Sequence, residues 1–227
     1  GQTYTVGASV SINSPGAGTL TGTINVTDGT NNCSIVLPAM TCNLPATTVG
    51  AVTVSATYAG DTNFNASPTA QLAHNIGQAQ TTVTIGSSTP NPSTVGQEVI
   101  VTYSVAVTAP GAGTPTGTVT ITDGTNSCVG TVAAGQCTIT FTSNGSFTLT
   151  ATYSGETNFA GDTSPGLVHQ VCGGAAAVVS NTNDTGAGSL REALAGICPG
   201  GSITFSPDFA TPQTITLAGE IVIDSDI

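Results

Sequence analysis

A repeated phrase limits what this chain can fold into more than any other feature of the sequence. Residues 15–33 read PGAGTLTGTINVTDGTNNC and residues 110–128 read PGAGTPTGTVTITDGTNSC, a spacing of 95 residues. Aligned without a gap, roughly 33 of the 77 residue pairs between 1–77 and 96–172 are identical. A period of this length matches a whole small domain rather than one rung of a solenoid. We therefore predict a first domain at 1–77, a second at 78–172 and a different region at 173–227.

The few charged residues are almost all acidic. Only 6% of the residues are charged, the formal net charge is -11, and Arg191 is the one permanent cation. Nucleic-acid binding needs clustered Lys and Arg, so we expect no nucleic-acid partner. The same charge disfavours anionic membranes, and no apolar run approaches the ~20 residues of a membrane helix. No signal peptide is recognisable, which predicts a mature or excised segment without membrane insertion.

The six cysteines follow the repeat. Each copy carries a Cys-x8-Cys pair, at 33/42 and at 128/137. A pair that recurs at equal spacing predicts three disulfides, namely Cys33–Cys42, Cys128–Cys137 and, from the remaining two residues, Cys172–Cys198. Such a framework is typical of an oxidising compartment, so we expect a secreted or cell-surface protein. Free buried thiols are the alternative, and zinc is disfavoured because no CxxC spacing occurs.

Alternating apolar and hydroxyl side chains predict an all-β fold. In 98–107, for example, five apolar residues occupy every second position, a period typical of a half-buried strand. The second repeat contains about seven such segments, at 80–85, 98–107, 117–122, 128–132, 136–142, 147–154 and 167–171. We interpret 128–132 and 136–142 as a hairpin held by the predicted disulfide. The pattern indicates an immunoglobulin-like (Ig-like) β-sandwich in the broad sense.

Three segments of the second repeat carry a family resemblance. VGQEVIVTYSV (95–105), GTPTGTVTITDGT (113–125) and LTATYSGETNFAGDTS (149–164) resemble the bacterial Ig-like repeat domains of large secreted and surface proteins. The motifs recur in the same order in the first repeat. The resemblance implies a spacer, a stalk or an adhesive arm, although the embedded cysteine pair departs from the commoner cysteine-free pattern.

The first repeat lacks one segment of the second. Gly1 aligns with Gly96, so 79–95, which carries the first strand and its turn, has no counterpart. Two interpretations remain open. The chain is a fragment of a longer array, or a neighbouring subunit supplies the strand by β-augmentation.

The region 173–227 changes pattern. After a short strand at 175–179, Ser189 and Glu192 fit a capping box. Four apolar residues lie on one helical face, and Pro199 is predicted to end the helix; the four are Leu190, Ala193, Leu194 and Ile197. Short strands are predicted at 203–205, 214–217 and 220–223. VVSNTNDTGAGSLREAL followed by GGSITF resembles the start of secreted bacterial parallel β-helix domains, in which a helix caps the coil. The resemblance implies a truncated, helix-capped β-helix start.

Candidate chemistry is sparse. Carboxylates in equivalent loops are candidates for calcium ligation, namely Asp28, Asp61, Asp123 and Glu156. Asx turns explain the same residues, and no loop concentrates enough carboxylates. His74 and His169 lie in the inward register of the last strand of each repeat; we interpret them as structural, with a pH sensor as the alternative. We predict no catalytic residue, no metal and no cofactor.

Two functional classes follow. The first is a non-catalytic extracellular structural or adhesive protein, a tandem Ig-like stalk or fibre component whose partners are other copies of itself or neighbouring domains of a longer chain. The second is the stalk of a carbohydrate-active or glycan-binding β-helix protein, with surface glycans as partners and its working rungs beyond residue 227.

Overall fold

A computed structural model describes residues 2–221 of the chain. The first repeat contains six strands, β1 (Thr3–Gly7), β2 (Thr23–Thr27), β3 (Asn32–Val36), β4 (Thr41–Pro45), β5 (Gly50–Tyr58) and β6 (Ala70–Ile76). The second contains β7 (Thr81–Thr89), β8 (Ser93–Thr94), β9 (Glu98–Val107), β10 (Thr118–Thr122), β11 (Ser127–Thr131), β12 (Gln136–Thr140), β13 (Gly145–Tyr153), β14 (Asp162–Thr163) and β15 (Leu167–Cys172). The last region contains β16 (Gly174–Val179), α1 (Leu190–Gly196), β17 (Ile197–Phe205) and a 3-10 helix (Pro207–Ala210).

The chain divides into two compact units. The first consists of Gly1–Thr81, Ala106–Pro115 and Gly155–Gly161, and the second of Thr82–Val105, Thr116–Ser154 and Asp162–Ile227. The domain limits 1–77, 78–172 and 173–227 stay a prediction.

The first unit contains two antiparallel sheets. One has the strand order β3-β2-β5-β6 and the other pairs β1 with β4. Successive side chains of a strand point to opposite faces of the sheet. Every second side chain therefore lies on the inner face, where apolar side chains are buried away from water. The resulting core consists of Ile24, Val26, Ile35, Leu44, Val54 and Tyr58.

The second unit repeats this arrangement with more strands. One sheet has the order β11-β10-β13-β15-β8, with β14 added on β13, and the other has the order β12-β9-β7. The predicted hairpin of 128–132 with 136–142 is therefore wrong. β11 pairs with β10, and β12 pairs with β9 in the other sheet. The local sequence missed this because two consecutive short strands look the same whether they pair or change sheets.

The side chains that pack between β9 and β11 differ from those at the equivalent positions of the first repeat. In the second repeat Tyr103 lies over Gly130, and its hydroxyl donates to the carbonyl of Thr131 at 3.0 Å. At the equivalent positions the first repeat has Ala8 and a buried Ile35. The large side chain comes from β9 in the second repeat and from β3 in the first, so one bulky residue packs at this place in each sandwich.

The last region forms a parallel pair rather than a β-helix. β16 pairs in parallel with β17, and α1 lies between them in the chain. Ser189 caps the helix, since its side chain accepts from the Glu192 N–H at 3.2 Å. The helix ends at Gly196 and the chain is extended from Ile197, so Pro199 lies inside β17 and does not end the helix.

The further strands predicted for this region are not shown. Residues 214–217 form no strand, and the strand predicted at 220–223 lies partly outside the described residues. The described part of this region is thus one strand-helix-strand unit.

Candidate functional site

Two of the four edge strands of the first repeat lie on the side of the sandwich without the disulfide. Among residues 2–221, β6 has only β5 as a neighbour and β1 has only β4. Each strand therefore presents one row of backbone N–H and C=O groups without a partner strand. Such edges are templates for another extended chain.

The second repeat covers both equivalent edges with residues 81–94. β7 lies beside β9, the counterpart of β1. β8 pairs in parallel with β15, the counterpart of β6, with Ser93 opposite Val171 and Thr94 opposite Cys172. The segment without a counterpart in the first repeat is thus the one that closes the sandwich in the second.

This cover determines the environment of His169. Its ring is fully buried, with Nε2 2.9 Å from Oγ of Ser93 and Nδ1 2.9 Å from Oγ of Ser88. The ring also stacks on Phe141 at a centroid distance of 4.7 Å. Burial lowers the pKa of His169, which favours the neutral imidazole.

The equivalent His74 has different surroundings. It is half-buried and stacks on Tyr4 at a centroid distance of 4.5 Å. Leu72 points to the same inner face, yet 71% of its surface is exposed. These inward-facing residues mark a strip of core surface between β1 and β6 that the first repeat leaves uncovered, which we name the open edge (Tyr4, Val6, Leu72, His74 and Ile76).

Asp28, at one end of the first sandwich, is held by local hydrogen bonds. Its Oδ1 accepts from the backbone N–H groups of Thr30 at 2.9 Å and Asn31 at 2.6 Å, and its Oδ2 accepts from the Tyr4 hydroxyl at 2.9 Å. Burial alone would raise the pKa of Asp28, but these donors lower it to about 2. Burial and the same carboxylate raise the pKa of Tyr4 to about 12.

The other calcium candidates are also engaged locally or remain dispersed. Asp61 accepts from Thr21 and from the N–H groups of its own loop, and these bonds lower its pKa. Asp123 forms the same turn as Asp28, with donors from Thr125 and Asn126. The backbone of Glu156 closes a tight turn with Phe159. Within the described residues, no three His, Cys, Asp or Glu side chains lie close enough to share a metal.

The cysteines pair as the repeat predicts, and two of the bridges join sheets. Cys33–Cys42 links β3 to β4 and Cys128–Cys137 links β11 to β12, with Cα–Cα distances of 6.1 and 5.9 Å. Cys172–Cys198 links the end of β15 to β17. Each repeat thus has a covalent tie across one side of its sandwich, where the two edge strands share no ladder.

Arg191 organises the last region, a role that its sequence context did not predict. Its guanidinium donates to the Asp184 carboxylate at 2.7 Å and to the carbonyls of Gly219 and Glu220 at 2.9 Å each. The hydrogen bond and charge of Arg191 lower the pKa of Asp184. One side chain therefore connects three chain segments.

Sequence reasoning also missed the serine partners of His169. Ser88 and Ser93 lie in 79–95, for which the sequence predicts only the first strand and its turn. The sequence contained a signal for the different surroundings of the two histidines. Both repeats carry the histidine, but this hydroxyl-rich segment precedes only the second.

Comparison with known proteins identifies the type of domain. Residues 83–172 match the family model of a bacterial Ig-like domain (group 3). The second repeat is similar to a bacterial Ig-like domain. The internal identity of the two repeats extends that similarity to 1–77, which supports the predicted Ig-like repeats.

A solved structure shows a weaker similarity to the chain, and the curated proteins show none. The chain is similar to the fibronectin(III)-like modules of Clostridium thermocellum CbhA, with 14% identity, a TM-score of 0.31, and coverage of 75% of this chain and 86% of that chain. No curated protein matches the chain. None of the helices in residues 2–221 has the length and apolarity needed to span a bilayer.

Proposed function

We propose that this chain is a non-catalytic extracellular structural or adhesive module, a stalk or fibre component built from tandem Ig-like sandwiches. One observation carries the proposal: two consecutive sandwich repeats each have a disulfide between their sheets. Such bridges form and persist in oxidising environments and are rare in the cytosol. The partners we propose are other copies of the chain or neighbouring domains of a longer polypeptide.

The polar side chains considered as candidates are engaged within the fold. The buried histidine is engaged by two serines, and three of the carboxylates serve turns. Their hydrogen bonds stabilise loops rather than leave groups poised for a substrate.

A second candidate rests on the last region. The parallel β16–β17 pair, with its intervening helix, is the type of unit that begins a coil of parallel strands, and Phe205 and Val178 remain about half exposed on it. This favours the stalk of a carbohydrate-active or glycan-binding β-helix protein.

Imaging and a glycan assay separate the two candidates. Electron micrographs of the purified chain at increasing concentration are expected to show end-to-end filaments, with no hydrolysis of a polysaccharide panel. Monodisperse particles that bind one glycan saturably, or that release sugar from it, would contradict the first candidate and support the second.

A further inference from the structure

We propose that Asn144 is a site of spontaneous deamidation, and that the carboxylate formed there loosens the last region, residues 173–221, from the second repeat. This covalent change goes beyond the proposed function. It alters how firmly the chain holds its last region rather than what the chain assembles with.

Asn144 belongs to the one Asn-Gly pair of the sequence. It is exposed in the short connection between β12 and β13. Gly145 has no Cβ, so its backbone nitrogen is accessible to the neighbouring carboxamide. Two other asparagines are more constrained, because the carboxamides of Asn31 and Asn126 donate to Asp28 and Asp123. Asn144 is therefore the asparagine best placed for attack by its own backbone.

The reaction needs water as its only co-reactant. The Gly145 backbone nitrogen attacks Cγ of Asn144, forms a C–N bond and gives its proton to a solvent base. The side-chain nitrogen takes up a proton and leaves as ammonia, so that a five-membered succinimide remains. Water then opens the ring, which leaves aspartate or isoaspartate at position 144. The result is one new negative charge.

The carboxamide lies where the second repeat meets the last region. A Cβ atom on Gly196 would lie 3.5 Å from the Asn144 Nδ2, and one on Gly173 would lie 3.8 Å from it. Gly196 is the last residue of α1, and Gly173 precedes β16. These residues line a cavity of about 270 Å³ together with Ser189 and Glu192. Asn144 thus packs against both ends of the connection that contains α1.

A carboxylate at position 144 would meet negative charge from two directions. The C-terminal end of α1 carries the partial negative charge of its carbonyl groups. Glu192 already places a carboxylate at the same cavity, and none of the described lining residues is Lys, Arg or His. Like charges in one cavity repel each other. The new charge would therefore favour separation of the last region from the connection between β12 and β13.

The two repeats differ at this position. The equivalent pair in the first repeat is Val49-Gly50. The glycine is thus common to both copies, whereas the asparagine occurs in the copy that contacts α1. Asn144→Val transfers the residue of the first repeat and removes the reactive carboxamide without adding charge.

Ageing of the full chain at mildly alkaline pH tests the modification. Mass spectrometry of chymotryptic peptides is expected to show conversion of the carboxamide of Asn144 to a carboxylate, with Asn126 unchanged. Ageing should also accelerate tryptic cleavage at Arg191 in the natural chain, because this cut in α1 requires local opening. The Asn144→Val chain should keep its original cleavage rate after the same treatment.

Two variants test the effect of the charge without ageing. Asn144→Asp should be cleaved at Arg191 roughly two- to fivefold faster than the natural chain, the size of effect expected for an unfavourable charge at a helix end. Ser143→Asp is the matched control. It adds the same charge at an exposed residue of the same connection that does not line the cavity, and it should be cleaved at the natural rate.

The remaining outcomes count against the proposal. Aged chain without conversion at Asn144 would overturn the modification site. Conversion without faster cleavage, or equal acceleration by Asn144→Asp and Ser143→Asp, would overturn the loosening. Faster cleavage of aged Asn144→Val would assign the effect of ageing to another residue and contradict the role given to Asn144.

Discussion

At the scale of single residues, two equivalent histidines have different environments. His169 and His74 are repeat equivalents, yet only His169 is buried between hydroxyl groups. The difference lies in residues 88 and 93, far away in the sequence. Position in a strand predicted the inward register of both histidines but not their burial.

Burial of His169 gives a pH prediction. Its pKa is lowered in the folded state, so the unfolded chain binds a proton more readily. The resulting stability is present above about pH 6.5, the ordinary histidine pKa, and is lost as pH falls through the lowered folded-state value. The midpoint temperature of thermal unfolding should therefore decrease as the pH is lowered from about 7 to about 5.

Two variants test whether His169 causes this pH dependence of stability. His169→Gln should flatten the pH dependence in that window, whereas His74→Gln, which leaves His169 in place, should retain it. A flat profile in the natural chain, or an unchanged profile in His169→Gln, would contradict the assignment.

Arg191 is the second informative residue because it is the one trypsin site. The site lies in α1, and its guanidinium is bonded to Asp184, Gly219 and Glu220. Cleavage requires local opening, so we expect the folded chain to be cut slowly and at most once.

Two neutralising variants test the cause of this resistance. Asp184→Asn removes the ion pair and should accelerate the cut, followed by gel electrophoresis. Asp208→Asn, an exposed acidic position of the same region that is not bonded to Arg191, should leave the rate unchanged. Cleavage of the natural chain as fast as in urea would show that the last region is open.

At the scale of elements, the edge strands explain what the sequence could and could not predict. Period-two alternation located nearly every strand of the repeats, because one face of each is buried. It could not assign β11 and β12 to different sheets, since alternation reports a face and not a neighbour. The unit β16–α1–β17 was partly predicted, whereas residues 214–217, expected as a strand, form none.

The cross-sheet disulfides are the elements whose contribution is easiest to measure. Replacing Cys128 and Cys137 by serine frees the edges of two sheets that share no ladder at this place. For a loop of this length we expect a loss of about 2–3 kcal/mol in the free energy of unfolding, measured with urea. Serine at Cys33 and Cys42 should cost a similar amount, because the sequence separation is 9 in both. A loss near zero in either variant would contradict this expectation.

At the scale of the whole molecule, the two repeats share one fold but differ in how many strands they contain. Two copies of one sandwich share about 33 identical residues, and residues 81–94 add two further strands to the second copy. With a net charge of -11 and almost no cations, copies of this chain repel one another at long range. Association between copies would therefore have to rely on short-range contacts that outweigh this repulsion.

Amide hydrogen exchange on the isolated chain tests this central claim most directly. We predict that the β15 amides that do not bond β13 are protected at the C-terminal end of the strand, where β15 pairs with β8 and the Gln170 N–H donates to Asn91. The β6 amides that do not bond β5 should exchange on the order of a hundredfold faster than those of β15, because no strand covers them. Equal protection of β6 and β15 in the isolated chain would contradict the claim that the first repeat has an open edge.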